Sequence, residues 1–170
     1  MMKMLTSYKV EINPTSQQAW LIDRHISASR WAYNLFLDIN KQRYEDGYHY
    51  MSAYEFSKWF NHDYLDFNPD DNWIKQLYAK STKQAFIDAD NAMKRFFKKQ
   101  SRYPHFRSFK RGQGSFYFLK NSKKQIIKVE RHRIKLPKIG WIRLKEKGYI
   151  PTDAEYFVIK QGRVKKHAGR

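Results

Sequence analysis

Apolar and polar residues alternate from the start of the chain: Thr6, Tyr8, Val10 and Ile12 interleave with Ser7, Lys9 and Glu11 across Met4 to Ile12. A period of two predicts a half-buried strand. Asn13 and Pro14 end it, and Thr15 with Gln18 three residues later is a capping-box pattern that opens a helix carrying Trp20, Leu21 and Ile26 inward. Ser27-Ala28-Ser29 reads as the cap of a second helix with Trp31, Leu35, Phe36 and Ile39 on its apolar face and Gly47 just beyond its end. Two helices joined by a short turn resemble a helix-turn-helix. Ser52 with Glu55 caps a third helix through about Asn61. Pro69, in a first-turn position, starts a long fourth helix to about Lys99, with Trp73, Leu77, Phe86, Met93 and Phe97 at helical spacing.

After Pro104 the pattern shifts to short β segments, Phe116 to Leu119, Ile126 to Glu130, Arg133 to Leu136 and Trp141 to Lys145, separated by Gly112, Gly114, Pro137 and Gly140. The opening strand has no neighbour nearby in sequence, and its backbone donors and acceptors need partners. It is therefore expected to pair with the C-terminal strands, which makes the helical segment an insertion into one β unit.

Charge sharpens this division. Residues 1–92 hold 10 Lys+Arg and 12 Asp+Glu, a net of −2, whereas residues 93–170 hold 24 and 4, a net of +20. The whole excess of +18 thus lies in the second half and points to an anionic partner such as nucleic acid. Aromatic residues at 17% argue against a disordered basic tail. Cysteine is absent, which excludes disulfides, thiol nucleophiles and cysteine-ligated metal sites and suits a reducing cytoplasm. No window approaches the roughly 18 apolar residues of a membrane span, and Met1 to Lys9 lacks signal-peptide features, so a soluble protein is expected.

Four segments carry a family resemblance: Tyr8-Lys9-Val10-Glu11-Ile12-Asn13-Pro14-Thr15, Arg30-Trp31-Ala32-Tyr33-Asn34, Tyr103-Pro104-His105-Phe106, and Ile134-Lys135-Leu136-Pro137-Lys138-Ile139-Gly140-Trp141-Ile142. In this order they resemble the N-terminal part of TnpB (OrfB), a family encoded by bacterial insertion sequences, labelled transposases and similar to the ancestors of type V CRISPR effectors. The resemblance implies an α+β fold: a small OB-like wedge β-barrel with a four-helix recognition lobe inserted after its first strand. On this pattern residues 1–13 supply the first wedge strand, 14–102 the recognition lobe with its helix-turn-helix, and 103–170 the remaining wedge strands. The family continues with a RuvC-like nuclease and a cysteine-bearing zinc insert, neither of which is in this sequence. Val164 to Arg170 resembles the segment before the last wedge strand, so the barrel is expected to be incomplete. Glu130-Arg131-His132 departs from the Asp-Gly or Asn-containing hairpin turns of relatives.

The resemblance also implies binding residues. Lys80, Ser81 and Gln84 match family positions that contact the short DNA motif beside the target, and Tyr54 is a further candidate for that surface. Lys80 and Gln84 share a helix face that Ser81 borders, and glutamine can read adenine bidentately. The same face could equally be a solvated one, opposite Trp73, Leu77 and Phe86. Lys94, Arg95, Lys98, Lys99, Arg102, Arg107, Lys110 and Arg111 interleave with Phe96, Phe97, Tyr103, Phe106 and Phe109, a pattern suited to phosphate neutralisation and stacking. Phe96 and Phe97 are expected in the core, leaving Tyr103, Phe106 and Phe109 for bases. On the wedge, Lys123, Lys124, Lys128, Arg131, Arg133, Lys135, Lys138, Arg143 and Lys145 make one sheet face basic, while Ile134 and Leu136 point the other way. In the family this region holds guide RNA, which is read through shape and backbone.

No catalytic role is expected of the chain alone. Two-metal hydrolysis needs carboxylates converging on ions about 4 Å apart. Asp63, Asp66, Asp70 and Asp71 lack the pattern of a calcium loop, and the last two follow Pro69 where negative charge suits a helix start. The scattered histidines form no ligand motif, Gly112-Gln113-Gly114 is no phosphate loop, and no cofactor is called for. Three readings follow: the recognition part of an RNA-guided nuclease working with a separately encoded nuclease half, a nuclease-free TnpB-like DNA-binding regulator, or an inactive remnant of a decayed insertion sequence. Expected partners are guide RNA and duplex DNA bearing a transposon-adjacent motif, with no membrane and a cytoplasmic, nucleoid-associated location.

Overall fold

The computed structural model describes residues 9–111, 114–119, 128–147 and 156–160. It is α+β. Helices α1 (Ser16–Glu45), α2 (Ala53–Trp59), α3 (Leu65–Phe67) and α4 (Ala79–Phe97) accompany strands β1 (Ile12–Asn13), β2 (Ser115–Leu119), β3 (Lys128–Val129), β4 (Arg133–Leu136), β5 (Gly140–Leu144) and β6 (Tyr156–Lys160). One compact unit holds residues up to Arg24 and Phe118–Phe157; the other holds His25–Tyr117 and residues from Val158. Among the described residues, no helix is long and apolar enough to cross a membrane.

The first unit is organised by an antiparallel sheet of order β1-β5-β4-β3, which among the described residues does not close. The opening strand pairs with a C-terminal one, as its unpaired backbone demands: Ile12 faces Leu144 and Asn13 faces Arg143, and the Lys145 N–H extends the ladder to the Glu11 carbonyl at 2.9 Å. Alternation along β4 and β5 puts Ile134, Leu136, Ile142 and Leu144 on the buried face. Each such aliphatic side chain stabilises the sheet by about 1.5–3 kcal/mol. The β3–β4 hairpin pairs Lys128 with Lys135 and Val129 with Ile134. Its Glu130–Arg133 turn forms without glycine or asparagine; Arg133 Nε donates to Glu130 Oε2 at 2.6 Å across it. That hydrogen bond holds the Glu130 carboxyl below its usual range and raises Arg133. Strand β6, which the alternation analysis does not identify, pairs with β2 in a separate two-stranded sheet. The part of the opening strand before Lys9, and Ile126 and Ile127, lie outside the described residues.

The Thr15–Gln18 capping box is present: the Thr15 N–H donates to Gln18 Oε1 at 3.0 Å and the Gln18 N–H to Thr15 Oγ1 at 3.2 Å. Gln18 also donates to the Trp141 carbonyl at 2.6 Å, joining the start of α1 to β5. The expected break at Ser27-Ala28-Ser29 does not occur. α1 runs unbroken for 30 residues, because no glycine or proline interrupts its ladder and Ala28 and Ser29 are buried on its inner face. Trp20, expected inside, is 57% exposed and carries the Arg24 guanidinium over its ring. Gly47, at φ +80, ends α1 in a Schellman turn, with the Tyr48 N–H bonded to the Arg43 carbonyl and the Gly47 N–H to Tyr44.

The core of the second unit gathers Phe36, Phe56, Phe60, Leu65, Phe86 and Ala89 between α1, α2 and α4. Ser52 and Glu55 form the expected reciprocal cap of α2. Beyond Trp59 the chain widens into a π turn, Phe60–Tyr64, before α3. The single long helix expected from Pro69 is instead a 3-10 segment, Pro69–Gln76, and then α4. Leu77 and Tyr78 between them are extended and buried, and the Tyr78 N–H donates to His25 Nε2 at 3.1 Å, a partner no helix could give it. Phe97, expected in the core, is 53% exposed, and Phe96 is on the surface beside it.

Two polar side chains hold the turn before α2. Asn40 accepts from the Met51 N–H at 2.9 Å and donates to the Met51 carbonyl at 3.3 Å. Asp90, 3% exposed, accepts from the Ala53 N–H at 3.0 Å and the Tyr50 hydroxyl at 2.7 Å, and pairs with Lys94 at 3.1 Å. Burial and the Asp90 carboxylate push the Tyr50 phenol up. Asp90→Ala strands the half-buried Tyr50 and buried Ala53 donors, so a loss of about 2–4 kcal/mol is expected in urea unfolding; a loss within about 0.5 kcal/mol would show that water replaces the carboxylate.

Tyr64 donates to Asp71 Oδ2 at 2.7 Å, and desolvation with that bond pushes its phenol up to about 12 from 10.0. Because the folded value lies above the unfolded one, the contribution is complete below pH 10 and is lost as pH rises through about 12. Stability measured across this window should fall less steeply in Tyr64→Phe than in the parent; parallel curves would contradict the linkage.

Candidate nucleic-acid interface

The segment Arg30 to Asn34 lies on α1, and its residues split between core and surface. Ala32 is fully buried, and Trp31 packs against Trp73 at 5.5 Å and Phe60 at 6.0 Å between ring centroids. The remaining three hold another part of the chain. Asn34 accepts from the Arg107 N–H at 2.7 Å and donates to the Arg107 carbonyl at 2.8 Å, so one carboxamide satisfies the whole backbone of that residue. The Arg107 guanidinium lies 3.8 Å over the buried Tyr33 ring, and Arg30 lies 5.7 Å over Phe109. These contacts lay the strap of residues 102–110, which has no regular structure before Phe109, along α1.

The strap is consequently fixed while its side chains remain open. Arg102, Tyr103, Phe106, Phe109 and Lys110 are exposed, as are Lys98 and Lys99 before it. Stacking occupies one face of the Arg107 guanidinium, and the residue is otherwise exposed, so its edge donors are not consumed by the stack. Gly114 approaches α1 so closely that a Cβ there would run into Ile26. Among the described residues, no three His, Asp or Glu side chains gather to hold a metal ion.

The residues expected to read DNA are only partly brought together. Lys80 is half-buried beside a shallow concavity of about 280 Å³ that also contacts Ser57, Asn61, Lys75 and Lys83. Gln84, one turn on, donates to Asp88 Oδ1 at 3.1 Å. Ser81, expected at the border of this face, is buried at 4% exposure. Tyr54 is 74% exposed on α2.

On the sheet, Arg133 and Lys135 share the face opposite Ile134 and Leu136, as alternation requires. Both approach Trp141, the Arg133 guanidinium at 4.0 Å and Lys135 Nζ at 5.9 Å from the ring centroid. Arg133 is thus held by a ring and a carboxylate, whereas Lys138 and Arg143 are exposed. Lys123 and Lys124 lie outside the described residues, as does the side chain of Arg111.

Sequence reasoning misses Asn34, Tyr33 and Arg30 as organisers of the strap, since their partners are more than 70 residues away in sequence. The signal that singled out their segment was its family resemblance.

Comparison with known proteins bears on that resemblance. Residues 1–48 match the family described as "Helix-turn-helix domain", of OrfB type. The chain is also 26% identical over 162 residues to "Putative RNA-guided DNA endonuclease InsQ" of Escherichia coli (strain K12). Both matches support a similarity to the N-terminal region of TnpB/OrfB proteins. That alignment takes in 94% of this chain and 38% of the relative's length. Within the OrfB-type match, the described residues form β1 and one continuous helix, so the helix-turn-helix name attaches to the family and not to a turn in α1.

If Asn34 is what fixes the TnpB-like strap, Asn34→Ala should accelerate trypsin cleavage after Arg107 several-fold while the melting temperature changes little. An unchanged cleavage rate would show that the arginine–tyrosine stack suffices without the clamp.

Proposed function

We propose that this region binds nucleic acid as the recognition part of a TnpB-like, RNA-guided system, gripping guide RNA and the duplex motif beside the target. The observation that carries the reading is the strap: an irregular segment rich in cations and exposed rings, clamped by the same Arg30–Asn34 segment that resembles TnpB. The InsQ name supplies the RNA-guided and DNA components of this reading. An OB-like wedge completed by further strands would be the frame for the basic sheet face.

The roles follow from chemistry. Lys98, Lys99, Arg102, Lys110 and the edge of Arg107 neutralise phosphates of a structured RNA, with Arg111, Lys123 and Lys124 continuing the basic stretch. On the sheet, Arg133, Lys135, Lys138 and Arg143 serve the same backbone. Lys80 and Gln84 meet the duplex motif, with Tyr54 of α2 as a further contact; Gln84 spends one amide N–H on Asp88 and keeps its oxygen and second N–H for a base edge.

Purified protein should retain host RNA, and its affinity for a motif-bearing duplex should fall steeply between about 50 and 200 mM salt. Lys80→Ala with Gln84→Ala should weaken discrimination between motif and scrambled duplex by about tenfold, with a smaller loss on the scrambled one. Tight binding indifferent to salt would sink the phosphate grip, and unaltered discrimination would remove Lys80 and Gln84 from the reading role.

A further inference from the structure

At the C-terminal end of α4 four aromatic rings form a continuous series. Tyr50 meets Phe97 at 5.2 Å and 89°, Phe97 meets Phe96 at 5.9 Å and 51°, and Phe96 meets Tyr103 at 5.2 Å and 83°. The turn after α4 creates this contact. Lys99 adopts φ 58, the Gln100 N–H bonds to the Arg95 carbonyl, and the chain reverses so that Tyr103 returns against Phe96. Phe97 is 53% exposed, Tyr103 41% and Phe96 36%, and none of the three belongs to the buried core cluster.

Three adjoining rings left open to water contribute little to folding and mark a surface that a partner can cover. Their surroundings define what could. Arg95, Lys98, Lys99 and Arg102 are exposed around them, and Glu45 at the end of α1 is the acid whose charge acts on Tyr103. We propose that Phe97, Phe96 and Tyr103 are a stacking platform for single-stranded nucleic acid, with Arg95, Lys98, Lys99 and Arg102 following its phosphates. This deepens the nucleic-acid reading above and rests on it.

A duplex cannot use such a platform, because its bases already stack on one another, whereas a single strand offers an unoccupied face at each base. Charge complementarity favours a polyanion over a protein partner, whose own apolar patch would gain nothing from a ring of four cations. Position adds to the argument. The 19 residues of α4 place Lys80 and these rings toward opposite ends of one rod, about 25 Å apart along its axis. A duplex read at the first end and a strand stacked at the second can thus occupy the same helix together.

The test uses fluorescence anisotropy of the full chain with labelled oligothymidylate, oligouridylate and a duplex, each across a salt series. Phe97→Ala and Tyr103→Ala should each weaken single-strand binding about tenfold. The salt slope should be unchanged, since losing a ring releases no counterions, whereas Lys98→Ala should lower it by about 0.7. Tyr103→Phe should bind like the parent. Should Phe97→Ala melt early, Phe97→Leu preserves apolar contact with Tyr50 and should show a comparable binding loss. Preference for the thymidylate or uridylate strand identifies a DNA or an RNA occupant, either of which supports the platform. Unchanged single-strand affinity in the alanine variants would overturn it, as would an equal loss on the duplex or capture of a protein through these rings with oligonucleotide binding intact. Parent protein that binds duplex and structured RNA but no single strand would overturn the platform alone; parent protein that binds none would overturn the nucleic-acid reading as well.

Discussion

The buried carboxylate of Asp90 is the constraint on which the helical unit depends. A charge removed from water must be surrounded by donors, and Asp90 finds them on one short turn, the Tyr50 hydroxyl and the first free amide of α2 at Ala53, with Lys94 on its own helix. Asn40 holds Met51 between those two donors, so α1 and α4 grip the same short turn from opposite sides. Once that turn is fixed, Phe56 is delivered between Phe36 and Phe86, at 4.9 and 4.8 Å. Polar constraint sets direction and aromatic burial supplies most of the stabilisation.

That arrangement explains how irregular chain is held in place with its side chains exposed. Loops normally satisfy their backbone with water, which leaves them variable in position. Here α1 provides carboxamide clamps at Asn34 and Asn40, each bonding the N–H and the carbonyl of one distant residue. Each clamp consumes a single side chain and leaves the loop's own side chains unspent. Arg107 shows the benefit: its backbone belongs to Asn34, its guanidinium face to Tyr33, and its edge remains available.

Features encoded by neighbours in sequence were legible before the fold was known. The Thr15–Gln18 and Ser52–Glu55 boxes, the Gly47 stop and the alternation of Arg133–Leu136 all depend on residues a few positions apart. The pairing of the opening strand was legible for a different reason, since an unpaired strand must find a partner. What escaped was set by distant contacts. Ser27-Ala28-Ser29 carries a cap's composition, yet interior burial keeps it helical; Leu77 and Tyr78 carry no breaker, yet His25 draws the Tyr78 amide out of a helix. Helical spacing placed Phe97 and Met93 on one face, but α4 outruns the core it packs on, so Met93 is buried and Phe97 is not. Ser81 is buried, and helical position alone does not show how far neighbouring elements reach around α4.

Net charge, the feature that first pointed to an anionic partner, overstates the cations free to act because arginine and lysine are used differently. Arg24, Arg30, Arg43, Arg107 and Arg133 each lie over an aromatic ring, so arginine here braces the structure with its planar face. The lysines at two corners do the opposite. Lys99 and Lys138 adopt φ of 58 and 67, the left-handed region that glycine occupies without strain and other residues occupy at a cost of about 1 kcal/mol. Both are exposed, one in the turn that ends α4 and one in the tight turn between β4 and β5. Neither position gains packing from its side chain, so what lysine adds there in place of glycine is a positive charge at the outermost point of the turn.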